Sequence, residues 1–261
     1  MTLVWMIQLA HASPEAALAQ AITACATSPI HPLPTLSPDQ RARLLAGEVV
    51  RTLDRRGDDE PSAAVGFALL RADRDALWIA SQDPHTQVDP DLTEFVVEHL
   101  SGDRALWYGH IDLPRPLRDR QWVVESSNNH AMARATHDRC WEHAWTLDEG
   151  GLERIRPVVE AQHPRGITPT HLDESIYTPI NRGSWFMAPL GDGRVLVAYQ
   201  AATVVAGVIP DWLVNQLAMA RLEDVLRSLE ERAHTWASSH YVGDHPPVYG
   251  GQGAPIPPLG G

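Results

Sequence analysis

The sequence contains no lysine, and all 21 of its basic residues are arginines. Chemistry that needs a lysine, such as Schiff-base formation or phosphate binding by a P-loop lysine, is therefore excluded. The 33 acidic residues give a net charge of −12, and no run of basic residues concentrates positive charge. Because nucleic-acid binding relies on clustered cations, we expect no nucleic-acid partner.

Long apolar runs and cysteines are also scarce. No stretch approaches the roughly 18 to 20 consecutive apolar residues of a membrane-spanning helix, which predicts a soluble protein. The two cysteines, Cys25 and Cys140, match no zinc or thioredoxin-type spacing. They can form a disulfide in an exported protein or remain two thiols in a cytosolic one.

Residues 1–12 form a short apolar run that ends in Ala10-His11-Ala12, the small-x-small pattern that signal peptidase accepts. The run is short and lacks basic residues, so a signal peptide at 1–12 is one of two interpretations. We expect export to the periplasm or the extracellular space, with a cytoplasmic protein as the alternative.

Helix and strand patterns divide the rest of the chain. Residues 13–35 contain a helix capped by Ser13 and a proline-rich linker, and a second helix begins at Ser37 and ends at Gly47. A short helix is predicted at 71–80, and a long amphipathic helix runs from Pro210 to Trp236. Strands are predicted at 48–53, 62–70, 105–113, 121–127, 139–146, 183–189 and 194–205.

This order of elements is an α+β pattern in which a curved antiparallel sheet wraps around one long C-terminal helix. Because a single helix cannot fill so large a sheet, we expect an internal apolar cavity between them. The tail, residues 239–261, is rich in proline and glycine, and we expect it not to pack as regular structure.

Four pieces of the sequence resemble the START (StAR-related lipid-transfer) domains of the helix-grip, polyketide cyclase-like superfamily. They are residues 44–50, 66–70, 113–120 (LPRPLRDR) and 207–215 (GVIPDWLVN), in that order. The resemblance places a START-like domain at 36–238 and suggests a bacterial protein. It implies a helix-grip fold and a cavity between the sheet and the last helix that binds a lipid or sterol without catalysis. We also expect a monomer with no cofactor that contacts membranes transiently.

Aromatic and polar residues of the predicted strands and of the last helix are candidates for the cavity lining, although large aromatic side chains fill cores equally well. Alternation along strand 139–146 places Trp141 and His143 on one face and Glu142 on the other. Glu125 with Arg134 is a candidate ion pair for a ligand hydroxyl or head group. The full set is Trp107, Trp122, Glu125, Arg134, Trp141, His143, Trp145, Trp185, Met187, Tyr199, Trp212, Leu213, Gln216 and Leu217.

The residue spacing His137-x-x-Cys140-x-x-His143 resembles that of a metal-binding motif. Along a strand, however, Cys140 points away from both histidines, so one ion would not reach all three side chains. We therefore predict no metal site.

Three functions follow from these patterns. The first is a non-enzymatic carrier of one hydrophobic molecule. The second is a cyclase-like or hydrolase-like enzyme of the same fold, in which His143 or Glu142 serves as general acid or base. The third is an interaction module whose Pro255-Ile256-Pro257-Pro258 stretch is a polyproline ligand.

Overall fold

The computed structural model describes residues 13–26, 32–55, 60–82, 91–206, 211–235, 237–243 and 245–259. Its helices are α1 (Pro14–Cys25), α2 (Pro38–Leu45), α3 (Arg74–Gln82), α4 (His130–Ala135), α5 (Gly151–Gln162), α6 (Pro169–Glu174), α7 (Asp211–Thr235) and α8 (Ala237–His240). Its strands are β1 (Val50–Asp54), β2 (Ala63–Leu70), β3 (Leu92–Ser101), β4 (Arg104–Ile111), β5 (Arg120–Asn128), β6 (Trp141–Leu147), β7 (Ile176–Tyr177), β8 (Ile180–Pro189) and β9 (Val195–Val204).

The strands form one open sheet in the order β1-β2-β9-β8-β6-β5-β4-β3, in which neighbours are antiparallel. The short strand β7 pairs in parallel with β5. The long helix α7 packs on one face of this sheet, chiefly against β2. The predicted α+β helix-grip architecture is therefore confirmed.

The face of the sheet that carries α7 is called the inner face here. Leu226, Leu229 and Ala233 of α7 share one apolar cluster with Trp78 of α3 and with Met187 of β8. Directly paired residues of neighbouring strands share a face, so the strand registers assign every other residue of each strand to this side.

Two helical layers cover the opposite, outer face. Leu18 of α1 and Leu44 of α2 pack on Phe67 of β2 at one end of the sheet. At the other end, Ile155 of α5 packs on Tyr108 of β4. Both faces of the sheet are thus buried over much of their area, which explains why every residue of β2 is buried.

Cap residues position the two N-terminal helices as the sequence predicts. The Ser13 hydroxyl accepts a hydrogen bond from the Ala16 N–H at 3.2 Å. In α2, the side chains of Ser37 and Gln40 form a reciprocal capping box. Gly47 adopts a positive φ of 89° just after the helix, the conformation in which glycine commonly ends helices.

Six elements of the structure have no counterpart in the sequence prediction: strands β3 and β7 and helices α4, α5, α6 and α8. Strand β3 lacks clear alternation because it carries a bulge between Val96 and Glu98. Helix α5 contains Pro157, which hides its helical pattern. The predicted signal peptide at 1–12 and the residues 207–210 of the START-like motif lie outside the described residues. No helix among the described residues has the length and apolar character that crossing a membrane requires.

Beyond α8, the described residues of the C-terminal tail have one β-bridge, between Tyr249 and Pro255, and otherwise no regular structure. It is nevertheless packed against the body of the protein. The Trp78 indole N–H donates to the Tyr249 carbonyl at 2.9 Å, and Gly251 lies so close to Trp141 that a side chain there would overlap the ring. Ile256 is 6% exposed, so the Pro255 to Pro258 stretch is not presented as a free polyproline ligand.

A disulfide joins Cys25 of α1 to Cys140, which immediately precedes β6, with the two Cα atoms 5.6 Å apart. Cys140 therefore cannot bind a metal together with His137 and His143. The disulfide fastens α1 to the outer face, and both cysteines lie in the cluster that this helix covers. It closes a long loop, because 115 positions separate the two cysteines.

Replacing both Cys25 and Cys140 with alanine should lower the free energy of unfolding by about 2 to 4 kcal/mol, because the disulfide restricts the unfolded chain. Urea unfolding of the oxidised wild type, the reduced wild type and the double variant measures this effect. The reduced wild type should match the variant. Two thiols that react after denaturation without reductant would show that the disulfide is absent from the protein.

Candidate ligand-binding site

Aromatic side chains converge on the inner face of the sheet. The registers place Trp107 of β4, Trp122 of β5 and Trp145 of β6 on this side, together with Trp185 of β8 and Tyr199 of β9. We call these five residues the aromatic patch. Trp185 is buried, whereas the other four are only half-buried. The patch therefore keeps aromatic surface accessible on a face that elsewhere forms core.

Two glycines determine how two of the tryptophans lie. Gly109 is paired with Trp122, and a Cβ atom at Gly109 would overlap the Trp122 indole. Gly183 is paired with Trp145, and a Cβ atom at Gly183 would likewise overlap the Trp145 indole. Each indole therefore lies across the backbone of the neighbouring strand, an approach that only glycine allows.

The patch is continuous around Tyr199. The Tyr199 ring lies 4.4 Å from that of Trp185 and stacks at 5.8 Å on that of Trp145, measured between centroids. The Trp145 indole N–H donates to the Asn181 Oδ1 at 3.1 Å, which satisfies its polar edge and fixes the ring. Trp107 opposes Val124, two residues from Trp122, so these two rings are diagonal neighbours.

His143 supplies a neutral polar group beside the patch. The Asn128 amide donates to the Tyr249 and Gly250 carbonyls, so its Oδ1 atom accepts from the Nδ1–H of His143 at 2.8 Å. The His143 Nε2 is then the atom with the lone pair. Burial lowers the pKa of His143 to about 4, although Asp103 opposes the shift. The imidazole is thus uncharged at neutral pH.

Glu94 of β3 is a carboxyl of the inner face that the sequence analysis missed. It pairs with Gly109, which assigns it to the inner face. Its side chain is accessible to water, yet the surrounding protein raises its pKa to about 7 by desolvation, against the opposing effects of Arg232 and Arg165. Burial also raises the pKa of Tyr199, and the negative charge of Glu94 adds to this shift. Glu94 is therefore close enough to Tyr199 of the aromatic patch for its charge to act on that side chain.

Trp141 and Met187, two of the predicted lining residues, belong to the core instead. Met187 is fully buried in the cluster under α7. Trp141 contacts Trp78 edge to face at 5.2 Å, and the Arg74 guanidinium lies 3.4 Å above its ring. The tail covers Trp141 on another side at Gly251, so its ring is enclosed by protein.

The predicted pair of Glu125 with Arg134 is wrong. The register places Glu125 on the outer face, where it forms an ion pair with Arg104. Arg134 is exposed on α4. Glu142 also lies on the outer face, as alternation predicts, and accepts from the Asn129 amide at 2.7 Å. None of these charged groups can act on a ligand at the aromatic patch.

The apolar side chains of α7 are exposed in its first half and buried in its second half. Trp212 is 66% exposed and Leu217 is 55% exposed, whereas Leu222 and Leu226 farther along the helix are buried. Leu213 is half-buried, and Gln216 is exposed at a surface cleft of about 360 Å³ that Arg51 and Met219 also line. Trp212, Gln216 and Leu217 were predicted to line the cavity, but the structure places them on the outside of the helix.

Arg120 holds the two residues that follow β9. Its buried guanidinium donates to the carbonyls of Val205 and Ala206, the latter at 2.9 Å. Arg120 is the last residue of the LPRPLRDR segment, so this part of the START-like motif has a structural role in holding the residues that follow β9. The repeated arginines of this segment are the sequence feature from which its structural role could have been predicted.

Replacing Gly109 with alanine should displace the Trp122 ring and lower the free energy of unfolding by about 1 to 3 kcal/mol. Urea unfolding and the near-ultraviolet circular dichroism of tryptophan measure the two effects. Gly150→Ala is the control, because a Cβ atom there would meet only the Asp148 carboxylate at 3.6 Å. Equal stability and equal spectra for both variants would contradict the packing of Trp122 on Gly109.

Comparison with known proteins finds similarity in fold. No protein-family model and no curated protein sequence matches the chain. A StAR-related lipid transfer protein from Xanthomonas axonopodis, fragment 25–204, superposes with a TM-score of 0.53 at 18% identity, over 72% of this chain and 94% of that one. Human STARD10 has a TM-score of 0.53 at 12% identity, over 80% and 84% of the two chains.

The lipid transfer and protein localization domain of human StarD13 superposes with a TM-score of 0.51 at 13% identity, over 76% of this chain and 98% of that one. These identities are low, so the comparisons bear on architecture. Together with the open sheet and the long helix α7, they show that the chain has a START-like helix-grip fold.

Proposed function

We propose that the protein binds one hydrophobic molecule, a lipid or a sterol, between the aromatic patch and α7 and carries it without changing it chemically. The observation that carries this proposal is the half-buried state of Trp107, Trp122, Trp145 and Tyr199 on the inner face. A face that only formed core would enclose these rings fully. Their accessible surfaces are instead available to an apolar ligand.

Desolvation supplies the driving force. At about 25 cal/mol per Å² of apolar surface removed from water, enclosing most of a sterol-sized ligand contributes on the order of 10 kcal/mol before ordering costs. The indoles of Trp122 and Trp145 are already fixed on Gly109 and Gly183, so little side-chain entropy remains to be lost on binding.

The first half of α7 is the part of the proposed carrier that meets the membrane. Exposed Trp212 and Leu217 are large apolar side chains on a helix whose second half is anchored. Tryptophan suits the boundary between water and lipid. Ligand exchange would then take place while this end of α7 contacts a bilayer, and the monomeric protein would carry the ligand between contacts.

The disulfide supports an exported protein. Disulfides form and persist in oxidising compartments such as the periplasm or the extracellular space. The bond between Cys25 and Cys140 is therefore consistent with a carrier that moves its ligand through water outside the cytoplasm.

Native mass spectrometry of protein purified from a lipid-containing host, followed by organic extraction, tests the carrier directly. We expect one apolar adduct per chain. Trp145→Ala should weaken binding of the extracted compound at least tenfold, whereas Trp145→Phe, which keeps a ring on Gly183, should retain most of the affinity. Trp212→Ala should slow transfer between vesicles more than it weakens binding in solution.

A protein that is recovered empty and takes up no sterol, fatty acid or phospholipid would contradict the carrier proposal. Circular dichroism of each variant establishes that a loss of binding is not a loss of folding.

Glu94 supports a second candidate, an enzyme of the same fold. A carboxyl with its pKa raised to about 7, facing an aromatic site, is suited to general acid or base catalysis at neutral pH. The two residues predicted for this role are less suited to it. His143 is a weak base because its pKa is lowered to about 4, and Glu142 lies on the outer face.

Incubating the extracted ligand with the protein and analysing it again by mass spectrometry tests the enzyme. Conversion should show an inflection near pH 7 and should be lost in Glu94→Gln. A rate that rises through this pH identifies Glu94 as a base, because the carboxylate is then the active form, and a rate that falls identifies it as an acid. Recovery of unchanged ligand between about pH 5 and 9 would exclude this function.

A further inference from the structure

A second group of functional side chains lies at the end of β4, on the outer face and away from the aromatic patch. It contains His110 and Asp112 from the end of β4 and the residue after it, and Asp119 from the residue before β5. One potential ligand atom from each residue lies within 4.8 Å of the other two. The His110 Nδ1 and the Asp112 Oδ1 are 3.4 Å apart.

The imidazole distinguishes this group from an ordinary cluster of surface carboxylates. His110 is 2% exposed, and its ring packs edge to face against His171 with centroids 5.6 Å apart. Ser175, outside the group, lies with its Oγ 3.0 Å from the His110 Nε2. His171 and Ser175 therefore fix the ring on one side, and its Nδ1 is directed toward the carboxylates on the other. Histidines that bind metals are oriented in the same way.

The two carboxylates add oxygen donors to the His110 nitrogen. Asp119 accepts from the Leu113 N–H through Oδ1 at 2.8 Å, which fixes this side chain and leaves its second oxygen available. Asp112 is 67% exposed, so an ion can reach the group from solvent. Within the described part of the chain, no arginine forms an ion pair with either carboxylate within 4.0 Å.

We propose that His110 Nδ1 and one oxygen each from Asp112 and Asp119 bind a single Zn²⁺ ion, with water in the fourth position. Zinc bonds of about 2.0 to 2.1 Å in a tetrahedron separate neighbouring ligand atoms by about 3.3 to 3.4 Å. The observed separation of Nδ1 and Oδ1 already has this value. A nitrogen ligand beside two oxygens favours zinc over calcium or magnesium, which prefer oxygen alone.

The ion would stabilise the structure around the proposed ligand-binding site without contacting the ligand. It would join the end of β4 to both ends of the loop 112–119 that leads into β5. Arg120, the next residue, holds the Val205 and Ala206 carbonyls before α7. Zinc binding should therefore stabilise Arg120 and the two residues after β9 that it holds, and this inference stands whether or not the aromatic patch binds a lipid.

Calorimetric titration of the tag-free, chelator-treated full chain with ZnCl₂ tests the site, together with native mass spectrometry of the product. We expect one Zn²⁺ per chain and a higher melting temperature with zinc. Asp112→Asn and Asp119→Asn should each weaken binding at least tenfold. Asp173→Asn, an equivalent change at an exposed carboxylate of α6, should bind zinc like the wild type.

The variants change accessible carboxylates, so each should fold, and circular dichroism verifies this. Absence of zinc uptake by the wild type, or equal affinity in all three variants, would overturn the proposal. Labelling of Ser175 by a fluorophosphonate in chelator-treated protein that takes up no zinc would also overturn it. That result would assign Ser175, His110 and Asp112 to nucleophilic chemistry instead.

Discussion

The close contact of α7 with β2 at Gly66 is the constraint on which the rest of the structure depends. The Leu226 Cδ1 lies 3.0 Å from the position that a Cβ atom of Gly66 would occupy, and Leu222 packs beside it. A Cβ atom at position 66 would be closer than ordinary van der Waals contact, so the Leu226 side chain would have to shift. The second half of α7 is therefore seated on β2. The first half lies beside β1, where the Arg51 guanidinium donates to the Met219 carbonyl at 3.4 Å, and its large apolar side chains are exposed.

The aromatic patch follows from the same geometry. Where α7 is seated, small and aliphatic side chains of the inner face fill the core. Beyond that seat the inner face carries large rings, and Gly109 and Gly183 allow two of them to lie flat on the sheet. Flat rings present broad surfaces while their edges remain bonded, as the Trp145 indole is to Asn181. The faces of these rings therefore remain accessible on this part of the inner face.

The sequence predicts the architecture well because the architecture depends on local signals. Caps at Ser13 and Ser37, and alternation along β6, are each readable within a few residues. The site is harder to predict because its features depend on pairing between distant segments. Glu94 faces the patch only through the register of β3 with Gly109, and Arg120 donates to the carbonyls of the two residues that follow β9. The same limit explains why Glu125 was assigned to the wrong partner.

The tail shows how context overrides composition. A stretch rich in proline and glycine lacks the pattern of a helix or strand, yet glycine at 250 and 251 is what allows the chain to lie against Trp141. Asn128 then links the tail to the inner face, since its amide donates to the Tyr249 carbonyl while accepting from His143. The tail thus fixes the tautomer of a histidine at the site.

The protonation states of His143 and Glu94 determine how ligand affinity at the inner face depends on pH. His143 is neutral at pH 7 because burial lowers its pKa to about 4, and Glu94 is close to its own pKa of about 7. An apolar ligand that displaced water around Glu94 would raise this pKa further, because desolvation disfavours the carboxylate. Binding would then take up a proton, and by linkage affinity would fall as the pH rises through and above 7. A ligand bearing a cation would reverse that sign, since the carboxylate would be stabilised. The direction of the pH dependence therefore distinguishes a neutral lipid or sterol from an amine.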